Sequence, residues 1–97
     1  MIKEMENEIV KSIRERSLIE CGLYNARKML KYKRYCLRNA KSLEGLNVNS
    51  WLMLASKTDE ELNEELDKIS DLCKKYYELY SEEYESIRYA QMRMTTK

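Results

Sequence analysis

The sequence from Thr58 to Met94, TDEELNEELDKISDLCKKYYELYSEEYESIRYAQMRM, contains neither glycine nor proline. Thr58 and Glu61 have the spacing of a capping box, in which each side chain bonds the backbone N–H of the other residue. Apolar residues then recur in alternating steps of four and three, except where Glu83 interrupts, which is typical of a helix packed lengthwise on another helix. These residues are Leu62, Leu66, Ile69, Cys73, Tyr76, Tyr80, Ile87, Ala90 and Met94. We therefore predict one long amphipathic helix over residues 59–93, with a bend near Ser81 as an alternative.

The N-terminal half of the chain predicts further helices. Apolar residues recur among charged ones over residues 2–20, which predicts a first amphipathic helix. A second helical segment is predicted over 23–43 and a short helix over 50–56. Gly22 leaves two alternatives, because glycine is favoured just beyond a helix C-terminus, yet the apolar phase runs straight across it. Either one helix continues through Gly22, at a cost of about 1 kcal/mol relative to alanine, or the chain turns there.

The composition favours helices around a thin core. Glycine occurs twice and proline never in 97 residues, which argues against sheets and tight turns. Leu, Ile and Val supply only 20 residues and Phe none, so the core is small for the chain length, and self-association or a partner is favoured. We predict a single all-α domain over residues 1–97. Its fold is a long antiparallel helical hairpin or a small three- to four-helix bundle with coiled-coil-like packing, and we expect a homodimer.

The same composition excludes several other classes of protein. No apolar run approaches the length of about 20 residues that a membrane span requires, so we expect no membrane partner. The N-terminus is amphipathic rather than a signal peptide. Cys21, Cys36 and Cys73 show no Cys-x-x-Cys spacing, and the chain has no histidine, which argues against a zinc site. We therefore expect reduced thiols in a cytoplasmic protein with no metal and no cofactor.

Charge is unevenly distributed along the chain. Residues 21–43 carry seven basic and no acidic residues, whereas residues 58–85 carry eleven acidic and three basic ones. One hypothesis is that the two runs pair within an antiparallel hairpin and set its register. If the chain turned around Trp51, the basic run 27–41 would face residues 61–75. Such surface pairs stabilise by less than about 1 kcal/mol each, but they can select the topology.

The alternative hypothesis is that the basic run binds phosphate groups. Tyr24, Tyr32 and Tyr35 are interleaved with the basic residues, and basic plus aromatic residues suit nucleic-acid surfaces. The net charge of only +1 lacks the basic balance of a dedicated nucleic-acid binder, which favours charge pairing. The residues of this charge-pairing or phosphate-binding surface are Arg27, Lys28, Lys31, Arg34, Arg38 and Lys41.

A candidate partner interface lies in the C-terminal half. Tyrosines spaced four apart share one helix face, and a tyrosine buries its ring while its hydroxyl stays in water, which suits a subunit contact. A base-stacking platform is the alternative function of this stripe. Trp51 is interpreted as an apolar plug over the turn or as an exposed binding anchor. The predicted interface residues are Trp51, Tyr76, Tyr80 and Tyr84.

Two strings of carboxylates in the C-terminal half partly match a catalytic pattern. Glu60, Glu61 and Glu64 form an E-E-x-x-E string, and Glu82 and Glu85 form E-x-x-E, which look like the magnesium-binding strings of all-helical nucleotide pyrophosphatases. Those enzymes place the two strings on facing helices and end the second in aspartate, whereas both strings here fall on one predicted helix. No nucleophile–base pair or phosphate-binding glycine loop is present in the sequence. We therefore predict no catalytic or metal-binding residues and a protein that is not an enzyme.

Residues 26–69 resemble the helical domain of the GINS replication factors. The resemblance rests on the segments ARKMLKYKRY from Ala26 and KTDEEL from Lys57, where a basic helix is followed by a loop and an acid-capped helix. It covers less than half of the chain, which has no room for the small strand-rich domain that those proteins usually carry. The resemblance implies a subunit of replication or other nucleic-acid machinery that works through protein contacts. Our leading functional hypothesis is a non-enzymatic protein–protein interaction module, and nucleic-acid binding through residues 27–41 is the alternative.

Overall fold

A computed structural model describes residues 2–41 and 48–94, with side chains from residue 7 onward. These residues form three helices, α1 (Ile2–Ala40), α2 (Val48–Lys75) and α3 (Tyr77–Arg93), and no strand occurs within the described ranges. Helices α1 and α2 make an antiparallel hairpin, and α3 folds back along both of them. The prediction of an all-α hairpin or small bundle is therefore confirmed.

Helix α1 is continuous through Gly22, so the separate helices predicted over 2–20 and 23–43 are one element. Gly22 is buried against α2, and a Cβ atom at this position would lie 2.8 Å from Cγ2 of Ile69. The glycine is therefore explained by a close approach of two helices and not by a helix end. Residue 43, the predicted end of the second segment, lies outside the described residues.

Helix α2 begins at Val48, so the short helix predicted over 50–56 is its N-terminal part. Thr58 lies inside this helix, where its Oγ1 donates a hydrogen bond of 2.7 Å to the backbone oxygen of Leu54. The capping-box prediction for Thr58 is therefore wrong. Residues 48–57 contain no helix breaker, and Ala55 is fully buried, so the helix already contributes to the packed interior before residue 58.

The long helix predicted over 59–93 is interrupted at Tyr76, five residues before the expected bend at Ser81. Tyr76 has φ −108° and ψ 47°, and its backbone oxygen accepts from the N–H groups of Leu79 and Tyr80 as α3 begins. The predicted single helix is thus wrong for this segment. Reversal at Tyr76 lets α3 bury Ile87 against both other helices, and this tertiary gain outweighs local helix propensity.

Three pairs across the hairpin set its register. Lys75 pairs with Glu15, Asn25 with Glu65 and Lys33 with Asp59. A residue n of α1 therefore lies near residue 91 − n, about three helical turns from the predicted alignment. The predicted register is wrong because α2 starts before Trp51, which places the turn earlier in the chain.

The core follows one seam of each helix. Most of it lies between α1 and α2, and α3 adds Ile87. Its buried members are Ile19, Leu23, Ala26, Leu30, Leu62, Leu66, Ile69, Cys73 and Ile87. The molecule measures 66 × 18 × 14 Å. Because Lys75 is the last residue of α2 and pairs with Glu15, residues 2–14 of α1 extend about 20 Å past the end of the hairpin.

Candidate interaction surfaces

The part of α1 that extends past the hairpin exposes β-branched apolar side chains. Ile9 is 56% exposed, Val10 52% and Ile13 51%. We call residues 7–14 the projecting segment. The sequence predicted an amphipathic helix over residues 2–20, but α2 has already ended at the level of Ile9 and Ile13. Their exposure follows from where α2 ends, and no local sequence signal marks that end.

A polar cluster closes the bundle where the projecting segment begins. The carboxylate of Glu15 accepts hydrogen bonds from Nζ of Lys75 at 2.8 Å and from the hydroxyl of Tyr76 at 3.1 Å. The hydrogen bond from Lys75 holds the pKa of Glu15 below its usual value, and the same bond raises the pKa of Lys75. Lys75 at the end of α2 and Tyr76 just before α3 therefore both bond to one residue of α1, Glu15.

The basic run is only partly used by contacts within the bundle. Arg27 pairs with Glu83 on α3, and the buried Lys33 pairs with Asp59 at 2.7 Å. The predicted pairing with residues 61–75 is not formed in the described chain. The other cations of this run are exposed and make no salt bridge within residues 7–41 and 48–94. They are Lys28, Lys31, Arg34, Arg38 and Lys41.

Exposed tyrosines lie beside these cations on the outer side of α1. Nζ of Lys28 lies 5.0 Å from the ring centroid of Tyr24, and the rings of Tyr32 and Tyr35 stack with their centroids 6.3 Å apart. The half-buried Trp51 meets the Tyr35 ring edge-on at 5.7 Å. We call this surface the basic–aromatic face. It consists of Tyr24, Lys28, Lys31, Tyr32, Tyr35 and Arg38.

The predicted tyrosine interface is placed against the bundle. Tyr76, Tyr80 and Tyr84 are partly buried beside the core. The Tyr80 hydroxyl donates to Glu20 at 2.8 Å, and burial, followed by this hydrogen bond, raises the Tyr80 pKa. The Tyr84 hydroxyl accepts from Nε of Arg88 at 3.1 Å. Their rings and hydroxyls therefore serve the α3 contact, and a role at a partner interface stays a prediction, as it does for Trp51.

An open cavity of about 710 Å³ lies near the C-terminal end of α3. Its Asp59 accepts hydrogen bonds from Lys33 at 2.7 Å and from Gln91 at 3.0 Å, and Gln91 also donates to Asn63 at 2.6 Å. Burial alone would raise the Asp59 pKa, but the hydrogen bonds from Lys33 and Gln91 outweigh it and lower the pKa. Since these polar groups satisfy one another, the cavity is a structural junction. The sequence pattern did not predict this junction, because its polar residues come from three different helices.

Arg88 joins α3 to α2 at the same junction. Its guanidinium donates to Asn63 at 3.1 Å and to Asp67 at 2.6 Å, and Nε donates to Tyr84. Burial would lower the Arg88 pKa, but the hydrogen bonds with Tyr84 and Asp67 outweigh it, so the pKa is raised. The contact of Arg88 with Asp67 requires the reversal at Tyr76, so the sequence pattern did not predict it.

The two carboxylate strings fall on different helices in the structure, with Glu60, Glu61 and Glu64 on α2 and Glu82 and Glu85 on α3. The placement of both strings on one helix was therefore wrong. Within the described parts of the chain, no group of three or more His, Cys, Asp or Glu side chains is arranged to hold a metal ion.

The cysteines lie apart from these surfaces. Cys21 is exposed, whereas Cys36 and Cys73 are buried, and all three are free thiols. Burial raises the pKa of the Cys73 thiol. Among the helices of residues 2–41 and 48–94, none combines the length and the apolar character needed to cross a membrane.

The resemblance to the GINS helical domain stays an expectation about residues 26–69. Comparison of the chain with family models, with curated proteins and with solved structures finds no match.

Proposed function

We propose that this protein is a non-enzymatic interaction module that self-associates through its projecting segment. The observation that supports it is the exposure of Ile9, Val10 and Ile13 beyond the point where α2 ends. Complete burial of a β-branched aliphatic side chain stabilises by about 1.5–3 kcal/mol relative to full exposure. Stabilisation of this kind would be gained if a second chain covered these half-exposed side chains.

The order of charges in this segment selects a second copy as the occupant. The acidic residue comes first and the basic residues follow, so an antiparallel approach of two copies brings the acidic half of each against the basic half of the other. A parallel approach would place like charges side by side. Within the projecting segment the acidic residue is Glu8 and the basic ones are Lys11 and Arg14.

The expected dimer is symmetric. An antiparallel pairing centred near Val10 relates the two copies by a twofold axis, so the same patch serves both partners. Lys11 of each copy then lies close to Glu8 of the other. The hairpin bodies lie on opposite sides of the contact, and therefore they do not obstruct it.

Sedimentation equilibrium over a range of protein concentrations tests this proposal. Wild-type protein is expected to show a reversible monomer–dimer equilibrium, and Ile9→Glu is expected to shift it strongly toward monomer because two buried carboxylates would face each other. Leu79→Glu is the matched control, since Leu79 lies on α3 and is 63% exposed. It introduces the same charge away from the segment and should dimerise like wild type.

Two results would contradict the proposal. Wild-type protein that stays monomeric at the highest soluble concentration would exclude self-association. Equal effects of Ile9→Glu and Leu79→Glu would place the contact elsewhere. Raising the salt concentration checks the relative orientation of the two copies. Screening should weaken the dimer if the copies are antiparallel and strengthen it if they are parallel.

A further inference from the structure

The basic–aromatic face forms a continuous stripe along α1. Tyr24, Lys28, Lys31, Tyr35 and Arg38 follow one another in steps of four, three, four and three, which places them on one side of a helix. The core residues of α1 follow the same steps one or two positions earlier, so the stripe lies roughly 120° around the helix from the core. The stripe runs about 21 Å along the helix axis.

The charge of this stripe is not neutralised within residues 7–41 and 48–94. Lys28, Lys31 and Arg38 are exposed and make no salt bridge in the described parts of the molecule. No acidic residue occurs in the sequence from residue 21 to residue 43. Of the acidic residues that contact this stretch, Asp59 and Glu83 are already paired with Lys33 and Arg27, and Glu65 accepts from Asn25. The stripe therefore presents a row of cations to an anionic ligand.

The aromatic rings of this face are exposed and already arranged beside one another. Tyr24 is 53% exposed, Tyr32 44% and Tyr35 53%. The stack of Tyr32 on Tyr35 continues to Trp51, which comes from the first turns of α2. Exposed ring faces beside cations are the surface on which unpaired bases stack while phosphates are held by charge.

We propose that the basic–aromatic face is a binding site for single-stranded nucleic acid. A duplex hides its base faces and would use only the cations, whereas an unpaired strand uses both the cations and the rings. An acidic protein segment would also use only the cations. This inference goes beyond the proposed self-association and does not depend on it, because the projecting segment is a different part of α1.

Fluorescence anisotropy with a labelled oligothymidylate of about twenty nucleotides tests this site at low salt. We expect binding whose affinity falls with salt, with a logarithmic slope of about −2 for three phosphate contacts. Trp51 is the only tryptophan, so all tryptophan fluorescence comes from this site, and we expect it to change on binding. A duplex of the same length and poly-glutamate should bind or compete at least about tenfold more weakly, because they cannot stack on the rings.

Two variants separate the contributions of charge and stacking. Lys31→Glu/Arg38→Glu should weaken oligonucleotide binding by more than about tenfold and reduce the salt slope. Tyr35→Ala should weaken binding by about fivefold or more without changing that slope. The control Lys68→Glu/Lys74→Glu makes the same change of net charge at exposed positions of α2 and should bind like wild type.

The proposal would be overturned by an absence of binding at low salt or by equal losses in the charge variant and its control. Equal affinity for single strand and duplex, together with unchanged affinity of Tyr35→Ala, would show attraction by charge alone and would also overturn it. Displacement of the oligonucleotide by poly-glutamate as effectively as by unlabelled oligothymidylate would identify an acidic protein as the ligand instead. Circular dichroism of each variant establishes that the helices are retained.

Discussion

At the scale of single residues, Gly22 determines how closely α1 and α2 approach. A Cβ atom there would lie 2.8 Å from Cγ2 and 3.2 Å from Cδ1 of Ile69, although the helix itself would gain from alanine. Helix propensity therefore favours alanine at this position, whereas packing against Ile69 disfavours it. Alanine improves helix propensity by about 1 kcal/mol, while overpacking of a core typically costs about 1–3 kcal/mol.

We expect Gly22→Ala to lower the free energy of unfolding by about 1–2 kcal/mol, because the clash with Ile69 outweighs the gain in propensity. In an Ile69→Ala background, which removes the clashing atoms, the same substitution should stabilise by up to about 1 kcal/mol. Urea denaturation of the four proteins measures this change of sign. Stabilisation by Gly22→Ala in both backgrounds would show that the helices have room to separate.

Lys33 is a second residue whose environment decides its role, since only 5% of its side chain is exposed. Its ammonium group pairs with Asp59, whose own side chain is 34% exposed. Removing the carboxylate would leave a buried cation unpaired, whereas removing the ammonium would leave an anion that water can reach. The two substitutions are therefore not equivalent.

Asp59→Asn should lower the free energy of unfolding at neutral pH by about 1–2 kcal/mol, less than the roughly 3–5 kcal/mol of a fully buried pair because Asp59 is partly exposed. The folded-state pKa of Asp59 lies below its usual value of 3.8, so its stabilisation is present above that pH. This stabilisation is lost as the pH falls through the lower folded-state pKa. Thermal melts between neutral pH and about pH 2 should show this loss in wild type and not in Asp59→Asn. Glu60→Gln, at the exposed neighbouring carboxylate, is the control and should retain the wild-type pH dependence.

At the scale of elements, α3 is held to the other two helices largely by polar contacts. Arg88 bonds Tyr84 within α3 and Asn63 and Asp67 on α2, whereas Arg93 on the same helix is exposed. We expect Arg88→Ala to cost about 1.5–3 kcal/mol, as hydrogen bonds to a charged group typically do. Hydrogen exchange should show the loss of protection concentrated in α3, and Arg93→Ala should leave protection unchanged. A uniform loss over α1 and α2 would show that α3 has no separate stability.

Sequence patterns predicted which elements are helical more reliably than where they end. The apolar phase across Gly22 was compatible with one helix, but the side chain that decides the matter, Ile69, lies on another element. The break at Tyr76 has no local signal, since no glycine or proline is near and the apolar seam continues through it. Tertiary packing of Ile87 determines that break, and local sequence does not encode such a gain.

The candidate surfaces could be predicted from the sequence only where contacts between helices do not determine them. Sequence analysis identified the basic run and its tyrosines, because helical spacing alone puts Lys28, Lys31 and Tyr35 on one side of α1. It could not show which cations are paired, since the partner of Arg27 is on α3, a helix that reverses direction. The exposure of the projecting segment likewise depends on where α2 stops.

At the scale of the whole molecule, the proposed self-association has a consequence for shape. One copy is 66 Å long with a radius of gyration of 17.4 Å for its Cα atoms. Antiparallel pairing through the projecting segments should give a dimer roughly 105 Å long, because two copies overlap only over their ends. Small-angle scattering at rising concentration measures this length. A dimer that kept the length of the monomer would indicate side-by-side packing and would contradict contact through the projecting segment.

The return of α3 also affects when the bundle can be completed during synthesis. Ile87 fills the core from α3, and Gln91 completes the bonds to Asp59 and Asn63. A nascent chain that has emerged only as far as Tyr76 has the two long helices but lacks the third side of its core. The native bundle therefore closes only after residue 91 has left the ribosome, and until then the seam of α2 that α3 covers is accessible to chaperones.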